Sequence, residues 1–274
     1  MQYSTFAAID IGSYDVILEI FEISKKQGIR SVDKICHRME LGKDTYTLGK
    51  IRPEMEEELC RVLADFVRIM EGYRVDDYRA TASSAISEAS NSLYVLGKIH
   101  QLTGFSVTVL SNSEQRFLSY KALAAMEDNF NKIIEKGTAI LDLDGGSFQI
   151  SLFDKDALVT TQNIRMGSLR IRERLAGIQS ETEHYEEMVE ELIWNEVSSF
   201  KKMYLKDRKI ENIMLIGDVF TDSVYQNIEE KTTKIISREN FNTWYEKIIR
   251  QSPMELAVKL GIPLENASLM YRLL

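Results

Sequence analysis

Apolar and polar positions alternate through FAAIDIGSYDVILEIFEI at 6–23, and the alternation breaks at Gly12-Ser13. A period of two places successive side chains on opposite faces of a strand, so this stretch predicts strand, turn, strand. KKQGIRS predicts a second turn and SVDKICHRMEL a third strand. A helical crossover needs about a dozen residues, which these links lack, so the three strands form an antiparallel meander. From Pro53 the period changes. Leu59, Val62, Leu63, Phe66, Val67 and Met70 recur at helical spacing, in a helix that Pro53 opens and Gly72 ends. A strand at 78–83, a helix at 91–103 closed by Gly104, a strand at 106–110 and a helix at 112–126 follow. Together they predict a mixed α/β lobe ending near Met126.

The pattern then begins again. Residues 138–144 predict a strand, Gly145-Gly146 a turn and 147–153 a second strand. Phe148, Ile150 and Leu152 fall on one face of that strand, Gln149 and Ser151 on the other. TQNIRM predicts a further strand. A long helix over 182–203 carries a stripe of Tyr185, Met188, Val189, Leu192, Ile193, Val197 and Phe200, with Trp194 expected to pack beside it. IENIMLIG at 210–217 predicts a buried strand, and helices dominate the remainder. IDIGS at 9–13 and LDLDGGS at 141–147 occupy equivalent places, a repeat of strand, acid, glycine, hydroxyl, strand. The expectation is an α/β protein of two related lobes, 1–126 and 127–274, facing each other across a cleft.

Composition narrows the partners. The chain has 274 residues, and 34 basic against 42 acidic side chains give a formal charge of -8. That balance disfavours non-specific binding to nucleic acid or acidic membrane, and leaves room for a local anion site. Cys36 and Cys60 are too few for a disulfide framework or a zinc cluster and read as reduced thiols. No apolar run reaches membrane-spanning length and the N-terminus has no signal pattern, so a cytoplasmic protein is expected.

The repeated turns carry the candidate chemistry. Backbone amides of two facing glycine turns can surround an anion. Asp10 and Asp142, at the ends of the first strands, would hold Mg²⁺ or orient a water rather than meet phosphate themselves. The alternative is an acid that only hydrogen-bonds its own turn. In SNSEQRFLSYKAL, Ser111 and Glu114 fit a helix capping box, while a carboxylate at a cleft could also serve as general base. Arg165, Arg170, Arg172 and Arg174 are either surface groups or phosphate contacts. His37, His100 and His184 have no ligand spacing, and His184 reads as a surface residue.

Six landmarks in order, AAIDIGS, ATASSAISEASN, VLSNSEQRFLSY, ILDLDGGSFQI, IRMGSLRIRERL and LAVKLGIPLENASLM, resemble the exopolyphosphatase / guanosine pentaphosphate phosphohydrolase family. That family belongs to the actin, Hsp70 and sugar-kinase superfamily. The resemblance covers almost the whole chain. It implies two actin-like (ribonuclease H-like) domains of mixed sheets flanked by helices, with the active cleft between them. It further implies Mg²⁺-dependent hydrolysis of the terminal phosphate of polyphosphate or a guanosine-pentaphosphate-like ligand. Gly12, Ser13, Gly145, Gly146 and Ser147 keep the phosphate turns, and Asp10 and Asp142 the metal-side acids.

The departures matter as much. Tyr14 and Asp15 replace the family's Asn and Ser, and Ser87 stands where a phosphate-binding arginine is expected. Gln115 occupies the position of the catalytic glutamate, with Glu114 beside it. Asp144, Phe148 and Gln149 replace a glycine, a threonine and the glutamate linked to Mg²⁺. A late glycine motif is absent from GDVFTDS at 217–223. Two functions therefore stand: a phosphohydrolase in which Glu114 or Gln115 positions water, and a degraded member that binds a phosphate ligand or acts as a scaffold. The chain ends at YRLL, short of the family's last helix and strand, which raises a homodimer that covers the exposed face.

Overall fold

The computed structural model describes residues 3–26, 28–126, 129–179, 184–206, 208–217 and 237–260, with 264, 267 and 269. The chain divides into two compact units, 1–122 and 123–274.

In the first unit, β1 (Ser4–Ile11), β2 (Asp15–Ser24) and β3 (Gly28–Arg38) form the antiparallel meander that the alternation predicts. β4 (Asp77–Ala82) and β5 (Val107–Val109) add parallel to the β1 side, giving the order β3-β2-β1-β4-β5. The residues before β4 are α1 (Leu41–Leu48) and α2 (Pro53–Tyr73). Residues between β4 and β5 form α3 (Ser84–Ser87) and α4 (Ser92–Thr103). Ile9, Ile11, Leu18 and Ile20 of the sheet are buried with Leu59, Leu63 and Phe66 of α2 and Val95 and Ile99 of α4. Each such side chain removed from water contributes about 1.5–3 kcal/mol.

α1 is not visible in the apolar pattern because its stability is tertiary. Its N-cap residue, Glu40, sits in the left-handed region at φ 50° and gives no side-chain cap. Instead Thr45 Oγ1 donates to the Ala85 carbonyl at 2.6 Å, and buried Asp44 accepts from Arg52 Nε and from its amide.

α5 (Asn112–Met126) spans the boundary between the units. In the second unit, α6 (Phe130–Ile134) precedes β6 (Thr138–Leu143), β7 (Phe148–Asp154) and β8 (Ala157–Ile164). After α7 (Ser168–Gln179) and α8 (Tyr185–Tyr204), β9 (Asn212–Ile216) pairs parallel with β6. The order is β8-β7-β6-β9, and α9 (Arg238–Ile248) and α10 (Pro253–Leu260) follow. Phe148, Ile150 and Leu152 join the core with Ile171, Leu175, Val189, Phe200 and Trp244. Gln149 and Ser151 point to the other face and are also buried.

Trp194 departs from its expected packing role. It is 60% exposed, with Lys201 Nζ 5.3 Å from its ring centroid. The buried stripe of α8 runs through Tyr185, Val189 and Phe200, and Trp194 lies off it. Most of GDVFTDS and all of YRLL, on which the absent motif and the homodimer rest, lie outside the described residues. Among the described residues, no helix is long and apolar enough to cross a membrane.

Candidate functional site

The first turn is a tight hairpin. Gly12 N donates to the Asp15 carbonyl at 2.9 Å, and a Cβ on Gly12 would lie 3.0 Å from that oxygen. Glycine therefore favours this close approach of backbone to backbone, and its own amide is engaged. Asp10, next to last in β1, lies beside its parallel partner Thr81, whose Oγ1 is 3.4 Å from Oδ1. Surrounding protein raises the Asp10 carboxyl above the ordinary 3.8, and the Thr81 hydroxyl opposes the shift. The side chain still reaches solvent, so crowding rather than complete enclosure is the cause. Buried Ser13 joins a chain of hydroxyls, with Oγ 2.6 Å from Tyr46 OH and Tyr46 OH 2.8 Å from Ser84 Oγ.

The two replaced residues of this turn have structural employment. Asp15 pairs with Arg38 of β3 through two hydrogen bonds, and the same guanidinium lies 5.3 Å from the Tyr14 ring centroid. The Tyr14 carbonyl accepts from the amides of Met39 and Glu40. Ser87, at the arginine position, ends α3 and is exposed. Four residues on, Asn91 clamps the Ile51 backbone, accepting from its amide at 3.0 Å and donating to its carbonyl at 2.8 Å.

At the start of α5 the capping box is formed. Glu114 Oε2 accepts from Ser111 N at 2.9 Å and from Ser111 Oγ at 2.8 Å, and Glu114 N reaches back to Ser111 Oγ at 3.3 Å. These donors hold the Glu114 carboxyl below its ordinary value. Gln115 is half-buried, and its amide donates to the Ser111 carbonyl.

The second turn is held from behind by α7. Asp144 N donates to the Ser147 carbonyl at 3.0 Å, which closes the turn. The Gly145 carbonyl accepts from Arg170 N at 3.1 Å, and the Gly146 carbonyl accepts from Arg170 Nε at 2.8 Å. Gly167 and Gly217 flank the turn. A Cβ on Gly167 would lie 2.3 Å from the Gly145 carbonyl oxygen, and one on Gly217 would lie 2.2 Å from that of Leu143. Of the four arginines, Arg165 and Arg174 are exposed, Arg170 binds the turn, and Arg172 is buried with Glu173 at 2.8 Å.

A polar row crosses the second sheet. Asp142 of β6 opposes Gln149 of β7, which opposes Asn163 of β8. Opposed residues share a face. Asp142 is 8% exposed and Gln149 2%. Gln149 Oε1 and Asn163 Oδ1 are buried acceptors without a hydrogen-bond partner among the described residues. Phe148 points to the opposite, core face. Among the described residues, no three His, Cys, Asp or Glu side chains come together as a metal site.

The sequence profile of the Ppx/GppA phosphatase family matches residues 19–260. The chain belongs to this family. It is 22% identical over 238 residues to a bifunctional 3-dehydroquinate synthase/phosphatase of Fusobacterium nucleatum, covering 82% of this chain and 34% of that protein. It is 25% identical over 144 residues to exopolyphosphatase 1 of Mycobacterium leprae, covering 52% of this chain and 41% of that protein. The chain thus aligns with well under half the length of these curated relatives. Among solved structures, the Ppx/GppA family member of Aquifex aeolicus superposes with a TM-score of 0.73 at 19% identity, covering 99% of this chain and 87% of that one. An exopolyphosphatase of Cytophaga hutchinsonii gives 0.71 at 19% identity, with 99% and 90% covered. The fold of two mixed sheets flanked by helices is thus the actin/Hsp70-like Ppx/GppA architecture.

Four residues around the turns escaped the sequence reading in their present roles. Tyr46 lies on the unpredicted α1, and Gly167 and Gly217 fall within IRMGSLRIRERL and GDVFTDS, neither of which gave them a role. Arg170 was visible as a cation, but its bond to a carbonyl was not.

Proposed function

We propose that this Ppx/GppA protein binds the terminal phosphate of polyphosphate or a guanosine-pentaphosphate-like nucleotide, and hydrolyses it far more slowly than a member with a free glutamate base. The observation that carries this reading is the capping box at Ser111. Glu114 is the only acid between Asn112 and Ala125, and its Oε2 already accepts two hydrogen bonds. Its neighbour Gln115 cannot take a proton from water. Loss of a general base lowers turnover by about 10²–10⁴-fold.

Ligand binding rests on groups that remain. Gly145, Gly146 and Ser147 keep the second turn, and Gly12 and Ser13 the first. Asp142 with Gln149 Oε1 forms an all-oxygen set that fits a hard divalent cation, because the buried Gln149 oxygen lacks a partner. Asp10 is the corresponding acid of the first unit. Mg²⁺ bound there would offset negative charge on the phosphate oxygens. The amide of Gln149 supplies an oxygen without the charge of the family's glutamate, so cation binding is weaker. A second reading keeps hydrolysis, with Asp10 orienting the water. It is favoured by the exposure of Asp10 near the end of β1.

The test measures Mg²⁺-dependent phosphate release and calorimetric binding on one sample, with polyphosphate, tripolyphosphate and guanosine pentaphosphate. Binding with little release supports the first reading. Robust release that Asp142→Ala abolishes overturns it, and release lost in Asp10→Asn with binding kept supports the second. Absence of binding overturns both.

A further inference from the structure

We infer that Arg170 is a positioning residue that turns the Gly146 and Ser147 amides outward as a paired oxyanion site. The inference rests on the reading of the second turn as a phosphate site. Arg170 bonds two carbonyls of this turn: its amide donates to Gly145 and its Nε to Gly146. No peptide bond among the described residues is cis. In a planar trans peptide the N–H points opposite to the C=O of the same unit. The Gly145 carbonyl shares its unit with the Gly146 amide, and the Gly146 carbonyl with the Ser147 amide. Fixing both carbonyls toward Arg170 therefore aims both N–H groups away from α7. Neither amide has a hydrogen-bond partner among the described residues. Buried backbone donors are rarely left unpaired, and Gly146 is buried. Two adjacent outward amides suit one phosphate oxygen or two oxygens of the same phosphate.

Gly167 completes the device. The Asp144 and Gly145 carbonyl oxygens would lie 2.4 and 2.3 Å from a Cβ at that position. α7 can therefore approach closely enough for Arg170 to make both bonds. The arginine acts here as a brace on peptide planes, not as a charge laid against the ligand.

Arg170→Gln separates these two roles. Glutamine Nε2 stands at the same covalent distance from Cα as arginine Nε, so it keeps a donor for the Gly146 carbonyl and loses the charge. Arg170→Ala loses both. Circular dichroism selects folded variants. In ligand-free protein, the Gly146 carbonyl ¹³C resonance moves in Arg170→Ala and stays near its wild-type position in Arg170→Gln. In a tripolyphosphate titration, wild-type Gly146 and Ser147 amide resonances shift. Affinity falls about tenfold in Arg170→Ala and stays within about threefold of wild type in Arg170→Gln, the scale of one lost charge-assisted hydrogen bond. An unmoved Gly146 carbonyl in Arg170→Ala overturns the brace. Equal loss of affinity in both variants overturns it in favour of direct charge contact. A moved carbonyl in a protein whose wild type binds no tripolyphosphate instead overturns the phosphate reading, and the oxyanion role with it.

Discussion

Asp15 and Arg38 face each other across β2 and β3, with Nε 2.8 Å from Oδ1 and Nη2 3.1 Å from Oδ2. The Asp15 side chain is 14% exposed and that of Arg38 44%. The acid that departs from the family's turn is thus one half of a forked ion pair at the sheet edge. Asp15→Asn removes the charge and is expected to cost on the order of 1 kcal/mol, reduced by the exposure of Arg38. Urea unfolding in low and high salt checks it. The wild-type advantage shrinks in high salt, and an advantage that salt leaves intact would argue for a packing effect instead.

Glu114 gives a pH-dependent cap. Its folded-state pKa is depressed below 4.5 by the Ser111 donors. Its contribution is therefore present above 4.5 and lost as pH falls through the folded value. Glu114→Ala should melt at a lower temperature than wild type at pH 7, and the two curves should converge in acid. Glu114→Gln, a residue that also serves in capping boxes, should retain part of the stability at pH 7.

Asp10 should behave in the opposite sense. Its folded-state pKa lies above the ordinary 3.8. Below that value the carboxyl is protonated in both states and the shift has no effect. As pH rises from there through the folded value, ionisation in crowded surroundings lowers the stability of the native state. In chelator-containing buffer, Asp10→Asn should melt above wild type at pH 7, with the gap closing toward pH 3.8. A gap that widened in acid would contradict the assignment.

Two glycines, one just before α7 and one within it, should respond with opposite signs. Gly167, before α7, has the Gly145 carbonyl where a Cβ would go, whereas Gly177 within α7 has nothing within 4 Å. Gly167→Ala should destabilise by about 1–3 kcal/mol through overpacking. Gly177→Ala should stabilise by about 0.5–1 kcal/mol through helix propensity. Thermal or urea unfolding distinguishes them.

Restoring the base tests the proposed function directly. Gln115→Glu combined with Ser87→Arg should raise phosphate release from tripolyphosphate by about 10²-fold or more if the lost base limits turnover. Single-turnover kinetics beside binding isotherms separate chemistry from affinity. Unchanged release with intact binding would count against the register that aligns Gln115 with the family's base.

The meander, the helix opened by Pro53 and the repeated acid–glycine turns were legible because each is written in local periodicity or turn chemistry. α1 was not, since Thr45 holds it through Ala85, far along the chain, and Asp44 through Arg52 beyond its own C-terminus. The same limit applied to the site. LDLDGGSFQISL shows that a turn exists, but not that Arg170 grips its carbonyls or that Gln149 meets Asn163. The capping box at Ser111 was legible because both partners lie within one helical turn. That Glu114 Oε2 takes both the Ser111 amide and its hydroxyl is visible only in the geometry.

The unpaired oxygens of Gln149 and Asn163 have a practical consequence. Any cation or donor that satisfies them stabilises the native chain over the unfolded one, by an amount set by its concentration relative to its dissociation constant. The melting temperature is then a detector for the guest, one that needs no turnover and no prior guess at the substrate. A panel of divalent cations and condensed phosphates, scored by thermal shift in wild type and in Gln149→Leu, would let the second sheet name its own ligand.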